Sequence, residues 1–376
     1  MTIISSFHPN HAARSDQPTN DQRVNEQVGS NEFQRRPLPS TAECMTQSVM
    51  CRLGGLNARL DDISVAVKSL RLPPVSGPVD PAAGEEAMRD YFNKRHAESV
   101  KAEQASRALL GKVDASKVQV HLLEAELGKW ASHPYPPSPN IQQWQDETFK
   151  KLCDLPDAPE AMRNALNTFS GNADFFEQLM AMIGFIKGEY LAIYEALLTK
   201  FSAFYKEFNE TIMAKMGDWI KGKSDGKEVE ISGELRNALI ALRDKYQKAP
   251  DGVLYPISDE GSATKEEALK WAKAMGLPDS CVKEDGKGGY RVMMDLSPLD
   301  AMIAAAPNST VTWDTAKFQA WQTGFNSQEG DLKNQLQLFT TKYGNANAYH
   351  ENFNKILSSQ LSQYAEMLKA IASGIG

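Results

Sequence analysis

The chain has 376 residues, 41% of them hydrophobic, enough to bury more than one core and, by length, to make two or three domains. Its net charge of −7, from 41 basic against 48 acidic residues, argues against nonspecific nucleic-acid binding, which needs a basic face. No apolar run approaches the roughly 18 residues of a membrane span, and the first residues lack the charged and apolar regions of a general export signal; export by a route using an unfolded polar N-terminus stays open.

Residues 1–40 are rich in Ser, Asn, Gln, Arg and Pro. Such a composition does not offset the entropy of ordering, so a disordered stretch is expected. His8 and His11 have metal-ligand spacing, but nothing nearby supplies further ligands. Over 41–72 a helical period runs through Met45, Val49, Leu53, Leu56, Leu60, Ile63, Val67 and Leu70, with Gly54 and Gly55 inside it as sites of weakening or bending. The Pro-rich run 73–78 is a linker. A second helix, 85–130, has a sparser apolar face (Met88, Phe92, Leu109, Val113, Val120, Leu123, Leu127). The two form a helical hairpin, 41–132, expected to lie against something else and to be the most detachable part of the chain. Cys44 and Cys51 share a helix face, a spacing that fits neither a disulfide nor a zinc knuckle; with Cys153 and Cys281 they read as buried or idle thiols.

After a proline-rich break at 133–139, short helices are expected at 141–152 and 158–169. Then a long apolar seam begins: Phe175, Leu179, Met182, Ile186, Tyr190, Ile193, Leu197, Phe201, Phe204, Phe208, Ile212, Met216 and Trp219. Tyr194, Phe204 and Tyr205 widen it beyond what one partner helix needs. That surplus calls for cover from the hairpin, the following module, another subunit or an apolar ligand.

Between 222 and 312 the pattern changes. Glu228-Val229-Glu230-Ile231 alternates like an edge strand, and Ser232 caps a helix stopped by Pro250. Thr264 with Glu267 makes a capping box for a helix through Met275, ended by Gly276 and Pro278. Cys281–Lys283 and Tyr290–Met294 flank a Gly-rich hairpin tip. A helix starts at Ser297-Pro298, and a last strand fits 311–313. This is a small mixed α/β module. At its entrance, Gly217-Asp218-Trp219-Ile220-Lys221-Gly222-Lys223-Ser224 satisfies the phosphate-loop pattern. That loop needs a strand before it and a helix after it; here a long helix precedes and turn and strand follow, so it reads as a helix end.

A second seam fills 327–371: Leu332, Leu336, Phe339, Tyr343, Ala346, Phe353, Ile356, Leu361, Tyr364, Met367 and Ile371, with Tyr349 and His350 at one slot. At 1.5 Å per residue this helix would be about 67 Å long, and a seam that narrow fits a coiled-coil partner. His350 reads as a polar break in packing, not a ligand. The fold expected is mainly α: a long antiparallel two-helix coiled-coil rod with an N-terminal helical hairpin and an inserted small mixed α/β module. Its core is Leu179, Ile186, Tyr190, Ile193, Leu197, Phe201 and Phe208 against Leu336, Phe339, Tyr343, Phe353, Ile356, Leu361 and Tyr364. The segments are 1–40, 41–132, 138–221, 222–312 and 313–376. Nothing in the sequence argues for an enzyme, a metal or a cofactor.

Several stretches carry a resemblance: Leu254-Tyr255-Pro256; Gly288-Gly289-Tyr290 through Ser297-Pro298-Leu299-Asp300; Ala320-Trp321-Gln322-Thr323-Gly324-Phe325; and Lys342-Tyr343-Gly344-Asn345-Ala346-Asn347 through Lys355-Ile356-Leu357-Ser358-Ser359. Over about 170–365 the chain resembles the type III secretion needle-tip proteins of the invasion plasmid antigen D type. The resemblance implies export of the unfolded chain through the needle on an uncleaved N-terminal signal, from a state that is monomeric in solution. It implies assembly of about five copies into a closed cap on needle subunits at the bacterial surface. Such a cap holds back secretion and supports docking of a hydrophobic translocator protein. The hairpin would act as a built-in chaperone, and some members bind bile salts, for which no residues are assigned. Gly344 and Ala348 depart from the family's usual serines, and a mid-helix glycine costs roughly 1 kcal/mol against alanine, so a close helix approach or a bend is expected at Gly344.

Packing in a two-helix rod does not account for the polar face of the last helix. Asn345, Asn347, Asn352, Lys355, Ser358, Ser359 and Ser362 are therefore expected to contact needle subunits or neighbouring copies. The rival class is a cytosolic helical scaffold or secretion chaperone.

Overall fold

The structure, a computed structural model, describes residues 41–70, 72, 74–131, 139–155, 175–258 and 261–372. The polar stretch 1–40 and the short helix expected at 158–169 lie outside the described residues.

Periodic apolar positions and sparse prolines give long helices. These are α1 (Thr41–Ser69), α2 (Glu85–Ala131), α3 (Pro139–Cys153), α4 (Phe175–Phe185) and α5 (Ala192–Thr211), the last two joined by a π turn (Ile186–Leu191). The module adds α6 (Glu234–Tyr246), α7 (Lys265–Met275) and α8 (Ser297–Ala305), and the chain ends in α9 (Thr315–Ala372). At 58 residues, α9 is about 87 Å long. It starts before the expected residue 327 because Asp314, ending the preceding strand, accepts a hydrogen bond from the Lys317 N–H and caps the first turn.

The two seams pair antiparallel. Phe201 meets Phe339 (ring centroids 5.0 Å), Tyr190 meets Tyr349 (6.0 Å) and Phe176 meets Tyr364 (6.1 Å), so numbers rise on one helix as they fall on the other. The hairpin completes this rod as two full members of a bundle: α1 packs on α9 and on α2, and α2 packs on α4 and α5. Val49, Leu53, Leu56, Leu60 and Ile63 of α1 are all buried, and the helix runs through Gly54 and Gly55 without a break. The surplus on the first seam finds its cover here. Phe204 packs edge-on against Tyr246 of α6, Tyr205 bonds to Ser99 of α2, and Tyr194 packs against Trp271 of α7.

The module carries two antiparallel three-stranded sheets, in the orders β1-β2-β6 and β3-β5-β4. The strands are β1 (Ile220–Lys223), β2 (Glu228–Ile231), β3 (Val253–Tyr255), β4 (Val282–Glu284), β5 (Tyr290–Met293) and β6 (Val311–Asp314). β2 is thus a central strand, not the edge expected, with Ile231 opposite Ile220 on one side and Val311 on the other. The phosphate-loop match resolves into a single helical turn, Met216–Trp219, followed by β1. Its Gly222 and Lys223 lie in a paired strand and a single 3-10 turn follows, so there is no helix N-terminus to face a phosphate. The Gly-rich tip of the β4–β5 hairpin is tied by Asp285, whose Oδ1 accepts from the Lys287 and Gly289 N–H groups. Gly286 (φ 75°) and Gly288 (φ 91°) supply its left-handed turns.

Candidate functional site

The polar face of α9 is partly covered by α1. The Asn347 amide, 0% exposed, donates to the Leu60 carbonyl (3.1 Å) and to Ser64 Oγ (3.2 Å). Ser64 in turn donates to Glu351 (2.9 Å), and Asn57 donates to Ser358 Oγ (3.3 Å). Lys355 pairs with Glu351 and lies 3.8 Å from Asp61 of α1, and Ser362 faces Met50. Residue numbers rise on α1 as they fall on α9, so this too is an antiparallel pairing. Within one copy, α1 thus occupies part of the face expected to contact needle subunits or neighbouring copies. Asn347 is inside the bundle, and Ser358, Lys355 and Ser362 are engaged with α1. Asn345, Asn352 and Ser359 are exposed; the two asparagines border a groove of about 590 Å³ between α9 and the end of α1.

Gly344 permits this approach. A Cβ there would stand 2.5 Å from Cγ1 of Val67 on α1, inside contact distance. Of the two options expected at this glycine, the close approach is the one the fold uses. Of the named core residues, Tyr190 and Ile356 are half-buried and the rest are buried.

Charge inside the bundle pins α2 to α9. Arg95 is paired with Glu329, which also lies 3.2 Å from Lys333, and the three side chains are 2%, 0% and 4% exposed. Burial and the Arg95 charge push the Lys333 ammonium down to about 8. Arg95 also donates to Asn326, and Gln322 accepts from the Val79 N–H, tying the linker between α1 and α2 to the same helix. One turn beyond Asn347, His350 is 1% exposed and neither ring nitrogen has a hydrogen-bond partner. Burial pushes it down to about 4. Asn354, 0% exposed, is likewise unpartnered.

The reading of sequence alone missed the α1 side of this interface and the buried ion cluster. A signal existed for the second: Glu329 and Lys333 stand a helical turn apart beside Leu332 and Leu336, on the buried side of the period.

The hairpin packs on both halves of a coiled-coil rod, and a small mixed module is inserted between those halves. The sequence profile of "Type III secretion systems tip complex components" matches residues 83–371, and the chain belongs to that family. It is 37% identical over 217 residues to the cell invasion protein SipD of Salmonella typhi, covering 55% of this chain and 63% of that protein. It is 32% identical over 195 residues to the invasin IpaD of Shigella flexneri, covering 50% of this chain and 57% of that one. The match therefore spans less than two thirds of these relatives. Among solved structures, the pathogenicity island 1 effector protein from Chromobacterium violaceum is similar at TM-score 0.58 and 27% identity, over 84% of this chain and 99% of that one. The family is one of structural components of a tip complex, and among the described residues no helix is long and apolar enough to cross a membrane.

Proposed function

We propose that this chain caps the needle of a type III secretion apparatus at the bacterial surface, controls secretion and supports docking of a hydrophobic translocator protein at the host membrane. In this reading it is monomeric in solution, assembles as about five copies in a closed ring, and uses residues 41–132 as its own chaperone. Family membership supports the tip location. The observation that carries the chaperone role is the pairing of α1 with the polar face of α9, through Asn347, Ser358 and Lys355. These are hydrogen bonds and a surface ion pair, each contributing roughly 1 kcal/mol or less, so another polar helix can replace them. A bile salt, as environmental cue, belongs to the same reading without assigned residues.

Substituting Asn347 and Lys355 alone is an ambiguous test, because both also hold α1. A reversible lock separates the roles. In a Cys44→Ser/Cys51→Ser background, Asn57→Cys/Ser358→Cys replaces one hydrogen-bonded pair with a disulfide. The oxidised protein should lose binding to purified needle subunit and regain it on reduction; equal binding in both states would sink the chaperone role. The rival, a cytosolic scaffold or chaperone, is separated by export. A tip protein disappears from the medium of a strain whose needle apparatus is inactive.

A further inference from the structure

Where the rod meets the module, a groove of about 440 Å³ lies between the π turn and α7, within the range of small-molecule sites, roughly 300–1,000 Å³. Its walls are Tyr190, Tyr194, Tyr255 and Trp271, and Glu189, Glu267 and Lys270 stand at its rim. Local sequence explains the cluster. The π turn, a wider turn common at functional sites, carries Glu189 and Tyr190 together. The capping box at Thr264 starts α7 so that Glu267 and Trp271, four residues apart, share a face.

The rings of Tyr190 and Tyr194 meet at 83° with centroids 5.5 Å apart, and those of Tyr194 and Trp271 at 67° and 6.0 Å. Tyr255 stacks on Trp271 at 5.3 Å. Tyr255 and Trp271, inclined at only 29°, cover one face of each other. The steeply inclined Tyr190, Tyr194 and Trp271 do not cover one another's faces, and Tyr190 and Trp271 are only half-buried. An aromatic face attracts cations through its quadrupole. The Tyr255 hydroxyl donates to Glu267 and holds that carboxylate at the rim. Burial first, and then the hydrogen bond and charge of Glu267, push the Tyr255 hydroxyl up. An anionic amphiphile would meet two carboxylates here; a quaternary ammonium would meet π faces and opposite charge.

We propose that this groove binds a phosphocholine group, its quaternary ammonium against Tyr190, Tyr194 and Trp271 between Glu189 and Glu267, and its phosphate toward Lys270. The inference is independent of whether the chain sits on a needle. Calorimetric titration of the full chain with phosphocholine tests it, beside 3,3-dimethylbutyl phosphate, in which carbon replaces the charged nitrogen. Phosphocholine should bind at least tenfold more tightly than this isostere, which keeps the phosphate but lacks the ammonium charge. Trp271→Leu and Glu189→Lys should each weaken it at least fivefold. Glu189 is exposed, so its substitution reads binding without loss of fold, and circular dichroism checks both variants. Equal affinity for the isostere, or no effect of Glu189→Lys, overturns the proposal. So does tight binding of deoxycholate that depends on Trp271 while phosphocholine does not bind. Flotation with phosphatidylcholine vesicles distinguishes the source. Co-flotation lost in Trp271→Leu assigns a lipid headgroup, binding of phosphocholine without flotation assigns a soluble ligand, and binding of neither overturns the inference.

Discussion

At Gly344 two effects of similar size oppose each other. Alanine would gain about 1 kcal/mol of helix propensity. Its Cβ would stand 2.5 Å from Val67 Cγ1 and 3.3 Å from Val67 Cβ and Cγ2, and overpacking of that kind costs typically 1–3 kcal/mol. Val67 is β-branched and sits on a helix, where its rotamer is held, so it yields poorly and the clash wins. Gly344→Ala should therefore lower stability by about 1 kcal/mol in urea unfolding, with faster hydrogen exchange in α1. Gly344→Ala/Val67→Ala should restore it. A single variant more stable than wild type would mean that α1 is not held against α9 at this point. The glycine itself was legible as a cost needing a reason; which helix supplied the reason was not, because Val67 lies far away in sequence.

At the scale of elements, legibility follows the range of the forces. The helices, the Thr264 capping box and the Asp285–Gly289 hairpin tip are fixed by residues a few positions apart, and the sequence shows them. β1 is different: Ile220-Lys221-Gly222-Lys223 has no strand pattern of its own and becomes one by pairing with β2. The weight of the hairpin was also hidden, since part of its attachment is a buried ion cluster. Glu329 there neutralises both Arg95 and Lys333. Removing one member of a buried ionic group leaves charge uncompensated, at a cost of about 3–5 kcal/mol, whereas replacing the whole group by apolar residues is often neutral. Glu329→Gln should lose stability on that scale in guanidinium unfolding. Arg95→Met/Glu329→Leu/Lys333→Met should stay close to wild type. A mild effect of Glu329→Gln would mean that the cluster does not bind α2 to α9.

Among the described residues from 41 onward, the helices form a bundle whose apolar core is interrupted by polar layers. Ser99 with Tyr205 and Asn209, Ser106 with Ser202, Asn347 with Ser64, and Thr148 with Gln360 each cross between helices. Paired layers fix register at little net gain. His350, like Asn354, is buried without a partner, and its folded state resists protonation, titrating at about 4. The unfolded chain takes up that proton at about 6.5. Below pH 6.5 the unfolded state therefore binds more protons, and stability falls by roughly 1.4 kcal/mol per pH unit until the folded value is reached. The contribution is complete above 6.5 and lost towards 4. Carboxylates held low by their partners, such as Glu351 beside Lys355, are common to wild type and variant, so a difference measurement cancels them. Between pH 7.5 and pH 5, wild type should lose about 2 kcal/mol more than His350→Leu in urea unfolding. Parallel pH profiles for the two proteins would place the acid-labile point of the bundle elsewhere than in the middle of α9.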